Sequence, residues 1–471
     1  MGRIGQIHRE VTIGTLPDDS LLEIFDILLN GLEDDGADEW HTLAHVSQRW
    51  RHVVFSSPHR LNLHLLWKTG RSVRKMLDIW PELPISIADN YVVTVENADD
   101  VVDALKLNDR VSRIQLHVSS FVSSPVWGGL AAAMQVPFPE LRDLALWTND
   151  EMAPVIPNSF LSGSAPHLRT LSFKNIAFPA LPKLLLSVTH LVALWLFDIP
   201  HSGYISPEAM VTALSALIRL ESLSLVFQSP LSRPHRASRI LLLHARTILP
   251  TLSHLHFRGV SEYLEELVAQ IDTPLLQSVL ASFFSQLLFD ISQFPNLVCR
   301  TENFPVLSQA DLILNCHGIN VKVFQERDTV YHKGLEMHIR CKMLDWQLSS
   351  LAQVCNSFPT FSTLERLYIC EDQYSPPHWQ DDMENNQWLE LLYPFTHVKD
   401  LHLSKEVAPR VAPALQELTG DRVTEALPAL ENLFLDEIQP SRLAQQAIEQ
   451  FVAMRERSGH PVTIHGWDRE E

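Results

Sequence analysis

A six-residue pattern with leucine or another apolar residue at its first, fourth and sixth positions recurs nine times in the chain. The copies begin at Val111, Leu141, Leu168, Leu191, Leu220, Leu252, Leu364, Val398 and Leu430. Each copy is predicted to form a short strand with a helical or irregular return segment. One copy cannot bury its apolar side alone, so stacked copies must share a continuous core. We therefore expect an α/β (α+β) fold in which an irregular repeat solenoid carries a curved parallel sheet.

The repeat is less regular in three places. Between 275 and 345 the pattern is degraded, and only weak copies begin at Leu276 and Asp311. Residues 66–110 are interpreted as a linker or a first irregular repeat. The apolar spacing over 441–457 predicts a capping helix, and 461–464 could add a last strand.

The N-terminal part of the chain has helical rather than strand periodicity. Pro17 and the two acids after it favour a helix start, because proline has no amide hydrogen to lose and acids suit the positive end of the helix dipole. The apolar residues of this helix that share one face are Leu21, Ile24, Phe25 and Leu28. The next apolar residues at helical spacing, after an acidic loop, are Leu43, Val46, Trp50 and Val53. A second helix that ends before Pro58 is therefore predicted.

These patterns predict five segments. They are an N-terminal tail (1–12), a helical domain (13–65), the linker or irregular repeat (66–110), the repeat domain (111–440) and a capping helix with a tail (441–471).

The dipeptide Leu16-Pro17, the run from Leu21 to Phe25 with Leu28, and the run from Val46 to Arg51 together resemble an F-box. With the repeats behind it, the chain resembles an F-box protein with C-terminal leucine-rich repeats. The resemblance implies a subunit without catalytic activity of its own. Its F-box would bind the adaptor subunit of an SCF-type cullin–RING ubiquitin ligase, and through it cullin. Its repeats would hold a protein substrate near the ligase.

Matching positions give the residues that this resemblance places at or behind the adaptor surface. They are Leu16, Pro17, Leu22, Ile24, Phe25, Leu28, Val46 and Trp50. For Ile24, Phe25 and Val46, an internal role in the helical core is an equal alternative.

Alternation along each strand predicts the residues of the face opposite the leucines. The candidates for substrate contact on this concave face are Trp147, Lys174, Trp195, Phe197, His254, His256, Arg258, Tyr368, His402 and Phe434. Exposed aromatic side chains beside cations are typical of a protein-binding groove. The alternative is that loops or the C-terminal helix cover them.

Other function classes are disfavoured. The net charge of −19, from 56 acidic and 37 basic residues, argues against a nucleic-acid partner. The chain has no phosphate-binding glycine loop, hydrolase elbow or zinc-protease motif, so we expect no enzyme activity and no cofactor. The histidine pairs His41/His45 and His254/His256 lack further ligands at metal spacing, so no metal is expected either.

The five cysteines form no CxxC pair and are interpreted as buried reduced thiols. No signal peptide and no apolar run of about 18 residues is present, which predicts a soluble cytoplasmic or nuclear protein without a membrane partner. The alternative function is a repeat scaffold that binds a protein partner independently of ubiquitination.

Overall fold

The computed structural model divides the chain into two compact units. The first comprises Met1–Met152 with Pro157–Leu168, and the second comprises Ala153–Ile156 with Arg169–Glu471. The structure describes residues 13–30, 40–57, 61, 63, 65–67, 83–118, 124–149, 153–234, 246–285, 291–325, 333–379, 385–436 and 442–467. The segment boundaries predicted from the sequence stay a prediction. The tail over 1–12 and much of the acidic loop lie outside the described residues.

The first unit begins with three helices, α1 (Asp18–Asn30), α2 (Trp40–Val46) and α3 (Gln48–Ser56). The single second helix expected from the apolar spacing is wrong, because the chain breaks at Ser47. That residue is extended (φ −158°, ψ 164°), and its hydroxyl accepts a hydrogen bond from the Trp50 amide at 3.1 Å. Serine in this conformation is a preferred N-cap, so α3 starts anew.

The rest of the first unit carries parallel strands and return helices. These are β1 (Leu65–Trp67), β2 (Ile85–Val93), α4 (Ala98–Leu105), β3 (Val111–Val118), α5 (Ser124–Ala133) and β4 (Asp143–Thr148). Neighbouring strands pair in parallel from β1 to β4. The part of 66–110 that the structure describes therefore has the strand-and-helix form of a repeat.

The second unit holds a larger sheet. Its strands are β5 (Thr170–Lys174), β6 (Ala193–Ile199), β7 (Ser222–Phe227), β9 (His254–Gly259), β11 (Ser278–Phe283), β12 (Gln309–Asn315), β13 (Gly318–Phe324), β14 (Gly334–Arg340), β15 (Arg366–Glu371), β16 (Asp400–Leu403), β17 (Asn432–Asp436) and β18 (Thr463–Trp467). Two short strands, β8 (Thr247–Ile248) and β10 (Ile271–Asp272), pair separately.

Helices return the chain between these strands. They are α6 (Leu181–Leu185), α7 (Pro207–Leu214), α8 (Ser261–Ala269), α9 (Gln293–Arg300), α10 (Leu344–Ser357), α11 (Asn385–Leu392), α12 (Ala408–Gln416) and α13 (Arg442–Arg457). Short 3₁₀ turns occur at Ile13–Thr15, Phe160–Gly163, His201–Gly203, Pro359–Thr363 and Gly420–Thr424.

All nine sequence copies coincide with strands, β3 to β7 and β9 in the first six cases and β15 to β17 in the last three. The leucine positions point to one side, where they are at most 7% exposed. Examples are Leu171, Leu194, Leu223, Leu255, Leu367, Leu401 and Leu433. Burying these side chains in a common layer is what stabilises the stack. The expectation of a mixed α/β fold with a large parallel sheet is confirmed.

Residues 309–340 interrupt the parallel order. The spatial order is β11-β14-β13-β12-β15, and β13 runs antiparallel to both of its neighbours. The close strand approach requires glycine at Gly318, because a Cβ there would lie 2.1 Å from the carbonyl oxygen of Ile339. The weak copy at Asp311 is therefore one strand of a three-stranded meander rather than an ordinary repeat.

Helix α13 is held by a buried cation. Arg455 is 0% exposed, and its guanidinium donates hydrogen bonds of 3.0–3.3 Å to four carbonyl groups. These carbonyls belong to Val423, Leu427, Pro428 and Leu430. Burial lowers the pKa of Arg455 from its ordinary value. The side chain thus ties the last long helix to the segment that leads into β17.

The cysteine interpretation holds only in part. Cys341, Cys355 and Cys370 are buried, whereas Cys316 is half-buried and Cys299 is exposed. Burial raises the pKa of Cys299 above its ordinary value. Of the helices in the described ranges, none combines the length and apolar character needed to cross a membrane.

Substitution of Arg455 by alanine is expected to lower the free energy of unfolding by about 2–4 kcal/mol, because four buried carbonyls lose their donor. Lysine should restore only part of this loss, since one ammonium cannot reproduce the planar guanidinium fork. The measurement is the urea midpoint of each variant. Arg457→Ala removes an exposed arginine from the same helix as the control. Equal urea midpoints for Arg455→Ala and Arg457→Ala would contradict the stabilising role of the Arg455 hydrogen bonds.

Candidate protein-binding surfaces

Strand register in the second unit places one row of side chains opposite the buried leucines. Passing from β5 to β18, the row is Ser172, Trp195, Ser224, His256, Leu280, Glu336, Lys322, Asp311, Tyr368, His402, Phe434 and His465. We call this row, with the side chains two residues before and after it on each strand, the polar face. Its central row carries mostly polar, charged and aromatic side chains, and Leu280 is the one leucine in that row.

The sequence-predicted contact residues of the second unit all lie on this polar face. Lys174 and His254 are exposed, and His402 is buried. The half-buried ones are Trp195, Phe197, His256, Arg258, Tyr368 and Phe434. The remaining candidate, Trp147, is 36% exposed on β4 of the first unit.

Four rings stack across neighbouring strands β15 to β18. The centroid of Tyr368 is 4.0 Å from that of His402, His402 is 4.2 Å from Phe434, and Phe434 is 4.9 Å from His465. The interplanar angles are 14°, 3° and 23°. Cross-strand ring pairs at these separations stabilise a sheet beyond the area they bury. We call these four residues the aromatic ladder.

A hydrogen-bonded polar chain runs beside the aromatic ladder. Arg366 Nε donates to Asp400 at 3.3 Å, and Asn432 Nδ2 donates to the other oxygen of Asp400 at 2.8 Å. His465 Nε2 lies 3.1 Å from Asn432 Oδ1. Because the Asn432 amide nitrogen already donates to Asp400, its oxygen must accept, so the proton is on His465 Nε2. This chain fixes both the orientation and the tautomer of His465.

His402 does not suit the direct-contact role predicted for it. Its residue is 7% exposed, and its ring lies between those of Tyr368 and Phe434. Burial lowers its pKa to about 4, with a further contribution from Arg366, while Asp400 acts in the opposite direction. At neutral pH the ring is uncharged and supports its two neighbours.

Cations gather at the other end of the polar face, around Asp198. Arg258 Nη2 lies 3.2 Å from the Asp198 carboxylate, and Lys174 Nζ lies 4.0 Å from it. Arg258 Nε also donates to the Phe227 carbonyl at 3.1 Å, and its guanidinium lies 5.9 Å from the centroid of Phe284. Burial lowers the pKa of Arg258, and the positive charge of Arg340 lowers it further.

The centre of the polar face is an ion-pair cluster on the meander. The Glu336 carboxylate lies 3.1 Å from His338 Nε2, 3.2 Å from Asn320 Nδ2 and 3.7 Å from Lys322 Nζ. The hydrogen bond from His338, more than any other cause, lowers the pKa of Glu336 to about 2. Burial raises the pKa of nearby Asp311. The leucine pattern did not predict this cluster, although alternation over 321–323 and 335–339 was a signal for strands.

The helical part of the first unit separates the predicted adaptor residues into two groups. Leu22 (6% exposed) and Phe25 (0%) are buried, which for Phe25 agrees with the alternative of an internal role in the helical core. They form a core with Trp50, whose ring centroid lies 4.8 Å from that of Phe25. Leu16, Ile24 and Trp50 are half-buried, and Pro17, Leu28 and Val46 are exposed.

An apolar strip remains on the outward side of α1. Ile27 is 72% exposed and Leu28 is 51% exposed, and helical spacing places them on the same side as Ile24 and Pro17. We call these four residues the α1 strip. Sequence analysis missed Ile27, because the apolar stripe was assigned to the Leu21 side of the helix. The true core stripe includes Leu22, which turns Leu28 outward.

An ion pair fixes the start of α1 against α3. Arg49 Nη2 lies 2.7 Å from the Asp18 carboxylate, and the same guanidinium donates to the Leu16 carbonyl. These contacts hold the first residues of α1 against α3, while Pro17 next to them stays exposed.

No protein-family model matches the chain, and no curated protein matches it. One similar solved structure is the leucine-rich repeat-containing protein LegL7 from Legionella pneumophila. It has 12% identity and a TM-score of 0.28, over 82% of this chain and 97% of that chain. The fold assignment rests on the strand order and burial of this chain and takes nothing from that superposition.

Acidification should weaken the native state through His402. Between about pH 6.5 and pH 4 the unfolded chain binds a proton at His402 that the folded chain does not, so stability falls as the pH is lowered through this window. His402→Phe keeps a stacked ring and removes the titration. We expect the variant to lose less stability than the wild type between pH 7 and pH 4.5, measured by urea midpoints. Identical losses would contradict the buried neutral histidine.

Proposed function

We propose that this protein is a substrate receptor of an SCF-type cullin–RING ubiquitin ligase. The helical part of the first unit would bind the ligase adaptor subunit, and through it cullin. The polar face of the second unit would bind a protein substrate. The chain itself would carry out no bond-making step and would raise the concentration of substrate near the charged conjugating enzyme.

The observation that carries the adaptor half of the proposal is the α1 strip. Single exposed apolar side chains are ordinary, but these lie at helical spacing on one helix that already buries Leu21, Leu22 and Phe25 in its core. Arg49 and Asp18 fix the start of this helix in position. Aliphatic side chains on a rigid helix are a common anchor set in stable protein interfaces.

The polar face supports the substrate half. Half-buried aromatic rings next to paired charges match the composition of protein interfaces, in which aromatic residues and arginine are enriched. The rings and charges are held in position by stacking and hydrogen bonds before a partner arrives, which reduces the ordering cost of binding.

A second candidate function rests on the same face. A repeat scaffold that binds its protein partner independently of ubiquitination would use the polar face in the same manner and would not need the α1 strip. Binding of the adaptor therefore separates the two functions.

Charged residues on the α1 strip are expected to abolish adaptor binding. Ile27→Asp/Leu28→Asp should weaken the affinity for the purified adaptor by roughly thirty-fold or more, because carboxylates would be buried in an apolar contact. Binding would be measured by surface plasmon resonance with the full-length chain. Leu443→Asp, at a position on α13 that is 80% exposed, is the matched control and should bind like the wild type.

Two results would reject parts of this proposal. Failure of the wild type to bind the adaptor would reject the receptor function and favour the scaffold. Wild-type affinity of the double variant would reject the α1 strip as the adaptor surface. Circular dichroism of each variant checks that the helices remain folded.

A further inference from the structure

Two cations of the polar face and a third just beyond it lie toward one end of the strands, in a chain that is strongly acidic overall. They are Lys174 on β5, Arg258 on β9 and Arg340 on β14, and we call them the basic cluster. The whole chain carries a net charge of −19. Register places Lys174 and Arg258 two residues beyond the central row of their strands and Arg340 four residues beyond it. The three cations therefore lie toward the same end of the strands.

One carboxylate is shared by two of these cations. Asp198 contacts both Arg258, at 3.2 Å, and Lys174, at 4.0 Å. Among the described residues Arg340 makes no ion pair and is exposed, while the Lys174 side chain is 46% exposed. Among the described residues that carry this contact, three positive groups and one negative group leave an excess of about two positive charges.

Geometry brings Arg258 and Arg340 toward each other. The Arg258 guanidinium extends over the ring of Phe284, which directly follows β11, the strand between β9 and β14. Burial lowers the pKa of Arg258, and the positive charge of Arg340 lowers it further. Ser224 on β7 and Ser282 on β11 are short, buried side chains of the same face. Because these two side chains are short, they leave space on the face beside the cations into which an anionic group can fit.

We propose that the basic cluster binds an acidic segment of a protein partner, one rich in Asp and Glu. This inference rests on the proposed function, because it states which class of substrate the polar face takes. Carboxylates fit because guanidinium groups bind them through paired hydrogen bonds. Trp195 and Phe197 on β6 lie beside the cluster and offer apolar contact to residues between the acids.

A nucleic acid is a poorer fit to the same cations. A duplex places charge along its entire length, so binding needs many neutralising contacts in a row. Here the neighbouring part of the polar face contains Glu336 and Asp311, and the whole chain would repel an extended polyanion. At ordinary ionic strength, charges more than about 10 Å apart are largely screened from each other. The distant acids of this chain therefore repel a short acidic peptide at the basic cluster only weakly.

The test uses the full-length chain and fluorescence anisotropy. The probe is a fluorescein-labelled peptide of Asp, Glu and Gly, compared with the same peptide carrying Asn and Gln in place of the acids. We expect the acidic peptide to bind more tightly, with an affinity that falls as salt is raised. Lys174→Gln/Arg340→Gln should weaken its binding by roughly ten-fold.

The control variant makes the same change in net charge elsewhere. Lys183→Gln/Arg219→Gln removes two exposed cations that lie outside the strands, and it should bind the acidic peptide like the wild type. Both variants should unfold at the wild-type urea midpoint, since the substituted side chains are exposed.

Three results would overturn the inference. They are equal binding of the acidic and amide peptides, wild-type binding by Lys174→Gln/Arg340→Gln, and tighter binding of a short DNA duplex than of the acidic peptide. Adaptor binding by the same variant separates this inference from the receptor proposal. If the wild-type chain binds the acidic peptide but not the adaptor, the basic cluster is supported and the ligase-receptor function is rejected. If it binds the adaptor but not the acidic peptide, the receptor function is supported and the basic cluster is rejected.

Discussion

The structure depends on the leucine layer that neighbouring strands share. A strand such as β6 hides Leu194 and Leu196 only because β5 and β7 continue the same layer on either side. Parallel register keeps equivalent positions aligned from strand to strand, so one residue of slippage would turn the leucines of a whole strand outward. The demand for apolar side chains therefore falls on alternate positions only. The other positions are free of that demand, and they are where the aromatic ladder, the ion pairs and the basic cluster lie.

The same separation explains the chemistry of the polar face. His402 is buried there, and the cost of burial outweighs the opposing effect of the Asp400 charge, so it is neutral at pH 7 and stacks on the neighbouring rings. Glu336, by contrast, is surrounded by donors and stays ionised far into the acid range. Burial disfavours the charged form of both groups, and Glu336 stays charged because its hydrogen bonds, first of all that from His338, outweigh the cost of burial.

Sequence periodicity was sufficient for the strands of the regular copies, because leucine at alternate positions requires burial on one side. It predicted the face on which Tyr368 and Phe434 lie for the same reason. It could not supply residues beyond the pattern, such as His465 on β18 and Asp198, which has a φ of +49° at an irregular point of β6. In the helical part, a stripe of Leu21, Phe25 and Leu28 and a stripe of Leu21, Leu22 and Phe25 fit the spacing equally well. Only packing against Trp50 decides between them.

The order of strands around the meander also affects how the chain can assemble. In a simple repeat array each new strand docks on the one made just before it, and folding can spread as a zipper. Here β12 is made after β11 but lies three positions away from it, and the gap is closed by β13 and β14, which are made later. Growth from the N-terminal side of the sheet must therefore wait until residue 340 has been synthesised. The meander therefore makes pairing between the two halves of the sheet depend on strands β13 and β14, which are synthesised after β12.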